Sequence, residues 1–517
     1  MEIRNSTKKQ YRQNGYNRFM KKTIWTNIIL LSAVGVVTVS FGIGLTKKTD
    51  ISHDEVITYL SATGHQGEFQ DIVSNERSPY GRWAPAYEWK KLLSIDKKFC
   101  FGLIGRDLAR YDYHPPMFFW LLHIWAILVG IHVWTGPVFN FIITLLILFI
   151  LYHFTKRLLG NSLEAAVVVL LWALNPIPVQ TSLMARQYCL LTLWVFLLAQ
   201  QVARYTESNN PTNFKELCIL FLLTTLGILT HYHFAFILAS CGLWLIIRLW
   251  YRSRSRLAWS LGAMAAGCLV FILLHPEFYL SFQLQNQGSQ SFTWKGVPYR
   301  LTRIMMSFFY SAWRKTIWPS FPQLTTIAIV FTSAILLGFT GGILLCLKKT
   351  FRLRIKNYFA RLDKPQLFIV YIFICLFILS SLLYLMCSSP KHAIGAYYES
   401  MIWPFAILSI YILIRAMRRK KMLFSAAIFL FLAFTMVNFC WYTYNMFTWQ
   451  RNQRELKLAQ AFMQADKIVL STVKRGVLPN IVRQIPDDTK VFVARREYLK
   501  AHQQSWRHML TRNSVVY

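Results

Sequence analysis

Eleven long apolar runs set the terms on which this chain can fold. They fall near 24–45, 137–154, 163–182, 188–203, 216–232, 235–250, 257–274, 322–346, 365–386, 398–414 and 422–443. At about 20 residues, such a run carries an α-helix across a hydrocarbon core about 30 Å thick. Composition agrees, since 55% of the residues are apolar and only 15% are charged, against about 25% charged in soluble domains. The expected fold class is therefore an all-α polytopic membrane protein. The first run is too long for a signal h-region and lacks a clear small-residue cleavage site, so it reads as a retained anchor.

The net charge of +35 raises the question of nucleic acid. The basic residues answer it by their placement. They form knots between apolar runs, at 21–22, 155–157, 251–256, 348–356 and 415–422, as cytoplasmic loops do under the positive-inside rule. Anionic lipid headgroups account for the charge without nucleic acid. The nine cysteines lie mostly inside apolar runs with no CxxC pair, and read as small packing residues.

The same knots fix the topology. A twelfth segment, "HPPMFFWLLHIWAILVGIHVW" at 114–134, would invert every later knot if it crossed. Placed along the outer interface, it leaves all the knots inside. The Pro115–Pro116 pair opens it at a bend. The expectation is a domain over 1–443 of roughly eleven transmembrane helices, with a long first outer loop at 46–136 containing interfacial helices. Residues 444–517 form a small C-terminal mixed appendage with alternating stretches "KIVLSTV" (467–473) and "KVFVARR" (490–496). Parity puts it outside, although it is basic.

Five stretches carry polar residues on the outer face. In "SHDE", Ser52 and Glu55 have the spacing of a capping box with Asp54 in the first turn. The box needs only Ser52 and Glu55, which leaves Asp54 for a cavity at the interface. "ARYDYHPPMFFW" brings Asp112 and His114 to the entry of the interfacial segment, either as an aromatic-belt anchor or as a second polar wall. Arg186, in "NPIPVQTSLMARQYCLL", sits at the outer end of a span against the charge bias. It either snorkels to headgroups or meets an anionic partner such as Asp54 or a phosphate. "LTHYHFAF" offers His231, Tyr232 and His233 as belt or site lining, in no recognised metal spacing. Lys391, in "SSPKHAIGAYYESMIWP", is a further outer cation.

Taken in order, these motifs resemble the family 39-like polyprenyl-phosphate-sugar-dependent glycosyltransferases of the GT-C superfamily, a group with protein mannosyltransferases and aminoarabinose transferases. The resemblance rests on Asp54–Glu55 after the first span, "HPPMFFWLL" (114–122) and "KRLLG" (156–160). It continues through "NPIPVQTSLMARQYCL" (175–190) and "THYHF" (230–234), and covers about 45–240. It implies a GT-C-type bundle with Asp54 as catalytic base and Glu55 supporting the site. Arg186 would then lie near the donor phosphate, within the "ARQY" motif that also holds Tyr188. His114, His231, Tyr232 and Lys391 are the further candidates for the substrate site.

The implied partners are a polyprenyl-phosphate-linked sugar, a glycan, lipid or protein acceptor, and the membrane lipids themselves. No cofactor is implied, and nothing in the sequence forces a divalent metal. The expected location is the plasma (inner) membrane, with the site on the extracytoplasmic face. The main competing class is a polytopic lipid or glycan transporter or flippase, which predicts pseudo-symmetric halves and midplane polar groups. An assembly protein whose loops bind partners is the third reading.

Overall fold

The computed structural model describes residues 2–208, 213–287, 362–387, 400–418, 421–448, 460–511 and 514–517. The chain opens on α1 (Glu2–Lys47), whose segment Met20–Lys47 is long and apolar enough to span a membrane. The first loop then folds into α2 (His53–Ala62), α3 (Gln66–Ser74), β1 (Trp83–Pro85), α4 (Tyr87–Lys90), α5 (Phe101–Tyr111) and α6 (Met117–Val129). Apolar α6 has 13 residues, about 20 Å of helix, too short for a crossing. The Pro pair ahead of it sets its start, and Met117 N–H donates to the Leu229 carbonyl at 2.9 Å.

The bundle continues with α7 (Thr135–Leu159), α8 (Ser162–Ala173), α9 (Pro176–Ser182), α10 (Tyr188–Glu207), α11 (Phe214–Ile228), α12 (Phe234–Leu249), α13 (Arg254–Leu274) and α14 (Phe278–Gln287). Among the described residues three more helices follow, Lys364–Cys387, Trp403–Ala416 and Lys421–Thr448. Among the described residues, five helices pass a membrane-span test of length and composition, or six with the bent pair α8–α9. Several of the remaining apolar runs form shorter helices of 14 to 16 residues packed in the same bundle. The run 322–346 lies outside the described residues.

The run 163–182 is not one straight helix. Asn175 stops α8 and starts α9, its Oδ1 accepting from Ile177 N–H at 2.9 Å, and Pro176 follows in the first turn of α9. The two helices meet at 58°. This bend turns the chain so that 183–187 forms a buried turn before α10. At the other end of α7, Gly160 takes a left-handed backbone (φ 65°) and closes the helix, as glycine does at this position. The core between α7, α8 and α10 is filled by Leu151, Phe154, Val168, Phe196 and Val202, all buried.

The C-terminal segment adds β2 (Lys467–Leu470), β3 (Lys490–Val493) and β4 (Ser514–Val516). These three join β1 in a four-stranded sheet of order β1-β3-β2-β4, in which β1 is antiparallel to β3 and the other pairs are parallel. Trp83, Ala84 and Pro85 face Phe492, Val491 and Lys490. The appendage is therefore built into the first loop and lies on the same side of the bundle.

Candidate active site

The site grows from the N-terminus of α2. Glu55 is fully buried, and each of its carboxylate oxygens is engaged. Oε2 accepts from Ser52 N–H at 2.9 Å, the Glu55 half of the capping box, and from Lys48 Nζ at 2.8 Å. Oε1 accepts from Ala185 N–H at 2.8 Å. Glu55 thus ties the start of α2 to the turn that carries Arg186. With both oxygens engaged inside the frame, Glu55 stands here as a positioning residue.

Asp54, one residue earlier, stands in the opposite condition. Its side chain is half-buried, and among the described residues its carboxylate has no hydrogen-bond or ion-pair partner. Helix geometry explains the split. Successive side chains point about 100° apart, so one acid of the pair faces inward to the chain and the other faces away.

Arg186 is buried and reaches back to the same helix. Its Nη1 donates to Thr58 Oγ1 at 3.0 Å and to the Asp54 main-chain carbonyl at 3.3 Å. Of the alternatives raised for Arg186, contact with Asp54 is made through the main chain and not through the carboxylate. The Arg186 turn is held by Asn140 of α7, whose Nδ2 donates to the carbonyls of Met184 at 2.5 Å and Arg186 at 2.8 Å. It is also held by close approach. A Cβ on Gly136 would lie 2.2 Å from Ala185 Cβ, so only glycine lets α7 come this near.

The other amino group of Arg186, Nη2, lies 3.1 Å from His114 Nε2. A guninidium has no acceptor, so Nε2 must accept and the His114 proton sits on Nδ1. Nδ1 lies 3.0 Å from Asp112 Oδ1 and donates to it. The result is a chain Asp112–His114–Arg186 ending beside Asp54. Burial pushes the His114 imidazole below its ordinary pKa; Asp112 opposes this and Arg186 adds to it. Burial also works to raise the Asp112 pKa, but His114, Arg475 and Arg186 outweigh it and hold the carboxyl well below the usual range. Asp112 Oδ2 is buried with no hydrogen-bond partner among the described residues.

His231 extends the cluster. Its ring lies 5.8 Å from that of His114, 6.2 Å from that of Tyr188 and 4.5 Å from that of His233. His231 Nδ1 accepts from His233 N–H at 3.1 Å, which leaves the proton of a neutral ring on Nε2. That atom is buried without a partner among the described residues. Tyr188 is buried behind it, and Tyr232 packs edge-on against Phe271 within electrostatic reach of Asp112. Lys391 lies outside the described residues. Among the described residues, no group of three or more His, Cys, Asp or Glu side chains is arranged to hold a metal ion.

Of the residues singled out in the sequence, the structure brings Asp54, Arg186, His114, Tyr188 and His231 together. Sequence reasoning did not rank Asp112 or Thr58 among the site residues. Thr58 lies four residues after Asp54, hence on the same helix face, and that spacing was the available signal.

Comparison with known proteins decides what this arrangement is similar to. Residues 113–279 match the family described as dolichyl-phosphate-mannose-protein mannosyltransferase. The mannosyltransferase match contains His114, Arg186, Tyr188, His231 and Tyr232, and leaves Asp54, Glu55 and Asp112 outside it. The GT-C resemblance read from the motifs is found again over this segment. No curated protein matches the chain. Among solved structures, ArnT from Cupriavidus metallidurans bound to undecaprenyl phosphate is 11% identical with a TM-score of 0.47, over 93% of this chain and 89% of that one. The same protein in its apo state is 14% identical with a TM-score of 0.46, over 93% and 87%. The Archaeoglobus fulgidus oligosaccharyltransferase is 11% identical with a TM-score of 0.46; 89% of this chain is covered, spanning 62% of that longer protein.

Proposed function

We propose that the chain is a membrane glycosyltransferase that moves a sugar from a polyprenyl-phosphate donor to an acceptor hydroxyl on the extracytoplasmic face. The observation that carries this reading is the Asp54 carboxylate, unpartnered among the described residues, on the residue whose main-chain carbonyl accepts from the Arg186 guanidinium. The family matched at 113–279 takes its name from a dolichyl-phosphate-linked sugar, which supports a donor of that class.

The chemistry needs little more than these two groups. The acceptor oxygen attacks the anomeric carbon while Asp54 takes its proton, a role that contributes about 10²–10⁴-fold. The bond from the anomeric carbon to the phosphate oxygen breaks, and its electron pair leaves with the polyprenyl phosphate. Arg186 offsets the charge gathering on that phosphate, as fixed donors do at a developing anion. His114 holds the guanidinium from behind, and the His231 Nε2 proton is a further donor in the cluster. One direct displacement inverts the anomeric centre.

Purified protein in detergent, incubated with a lipid extract of polyprenyl-phosphate sugars, tests this. Release of free polyprenyl phosphate by the wild type and its loss in Asp54→Asn is the expected result. Equal release by both proteins would remove Asp54 from the role of base.

A further inference from the structure

The C-terminal unit and the first loop meet at more than their shared sheet. The loop 471–477 leads from β2 into a short helix, Leu478–Val482, and lies against the start of α2. Its Gly476 stands directly on the His53 imidazole. A Cβ built there would lie 1.9 Å from His53 Nδ1 and 2.5 Å from its Cγ, so a side chain at 476 displaces the His53 ring from the start of α2. Beside it, Arg475 Nη1 donates to the carbonyl of Tyr111, the last residue of α5. Helix C-termini leave such carbonyls unmatched and favour a cation there.

Three further contacts land on the turn between α1 and α2. Ile51 N–H donates to Asn480 Oδ1 at 3.4 Å, Gln484 Nε2 to Asp50 Oδ1 at 3.3 Å, and Arg483 Nη2 to the Thr49 carbonyl at 3.1 Å. The turn that presents Asp54 is thus gripped from both sides. Glu55 ties it to the Arg186 turn, and 475–484 ties it to the C-terminal unit.

We propose that the loop 471–477 is part of the active site, with Arg475 a positioning residue for the Asp112–His114–Arg186 chain and Gly476 the point where the C-terminal unit seats α2. The functional meaning of Arg475 rests on the glycosyltransferase reading; the seating of α2 does not. Among the described residues four titratable or charged groups face Asp112: His114 from its own loop, Arg186 from the turn before α10, Tyr232 from the turn between α11 and α12, and Arg475 from the C-terminal unit. An ionised Asp112 keeps the His114 proton on Nδ1 and so leaves Nε2 to accept from Arg186. Arg475 bonds the carbonyl of the residue before Asp112, so without it the anion and the loop that carries it are held less firmly. An Asp112 that shifts no longer fixes the His114 tautomer, and Arg186 loses its support.

Two measurements on the full-length chain in detergent test the proposal. Hydrogen exchange compares wild type with Gly476→Val and needs no substrate. The amides of 49–58 should exchange about tenfold faster in the variant, as local opening does when contacts are lost, while those of α10 keep their protection. Unchanged exchange at 49–58 overturns the seating of α2 by this loop. The second measurement is sugar transfer from the polyprenyl-phosphate-sugar extract, read as a rate at saturating donor across pH. Arg475→Gln should lower transfer by about tenfold, the effect of removing one nearby opposite charge, and Arg475→Lys should restore most of it. Wild-type transfer by Arg475→Gln, or no rescue by Arg475→Lys, overturns the positioning role. Absence of transfer by the wild type at every pH overturns the glycosyltransferase reading and the role of Arg475 with it, and the exchange result still decides the seating.

Discussion

Two acidic helix starts lie at opposite ends of α7, about 37 Å apart for its 25 residues. At the basic end, Glu164 in the first turn of α8 meets Arg415 Nε at 2.8 Å, Arg418 Nη2 at 3.3 Å and Asn161 Nδ2 at 2.8 Å. At the other end, Glu55 in the first turn of α2 meets Lys48, Ser52 and Ala185, yet Asp54 beside it meets no side chain among the described residues. Glu164 is closed off by its partners, as a group that holds helices together must be when it is buried. The α2 terminus is closed at one carboxylate and left open at the next. An open carboxylate on a residue bonded through its backbone to a buried guanidinium is an arrangement that architecture alone does not require.

Substitutions at the two ends should therefore separate. The largest effect is expected for Asp54→Asn, with transfer reduced by about 10²–10⁴-fold and the thermal midpoint in detergent unchanged. Arg186→Lys comes next. An ammonium cannot serve Thr58, the Asp54 carbonyl and His114 at once, and each charge-assisted hydrogen bond contributes about 1.5–3 kcal/mol. Transfer should fall by about 10- to 100-fold, read as a rate at saturating donor and as a donor concentration dependence.

Glu55→Gln should act first on stability, costing about 3 kcal/mol through the loss of a buried charge opposite Lys48. Its transfer per folded molecule should fall less than that of Asp54→Asn. A Glu55→Gln protein that melted like wild type but transferred no sugar would break the assignment of Glu55 as a positioning residue. The smallest effect on chemistry belongs to Glu164→Gln, where a lower midpoint and wild-type transfer per folded molecule are expected. Lost transfer there would erase the contrast between the two ends.

How much of this was legible in the sequence depended on distance along the chain. The capping box at Ser52–Glu55 spans three residues, so local geometry reveals it, and with it the spare acid at Asp54. Arg186 was legible as a cation at the outer end of a span, against the charge bias. The bend at Asn175–Pro176 was written in a cap residue followed by proline, but the apolar run masked it as a single span. Asp112 was visible beside the "HPP" motif, while its bond to His114 needed the turn that brings their side chains together.

What escaped the sequence were pairings with long separations. Arg475 meets Tyr111 across 364 residues, and Asn480 meets Ile51 across 429. No periodicity records such contacts. The strand Trp83–Pro85 has three residues and a proline, and it exists because β3 offers it an edge. For Glu55 the sequence offered only the cap and a supporting place, and its three partners show how it joins the frame.

The central claim is that Asp54 is the base of a sugar transfer. It is tested most directly by mass spectrometry of envelope glycans and glycoproteins from cells that carry either the wild-type chain or Asp54→Asn at equal membrane levels. The account predicts a species one sugar heavier in the wild type that disappears in the variant. Identical spectra, with the heavier species present in both, would contradict it.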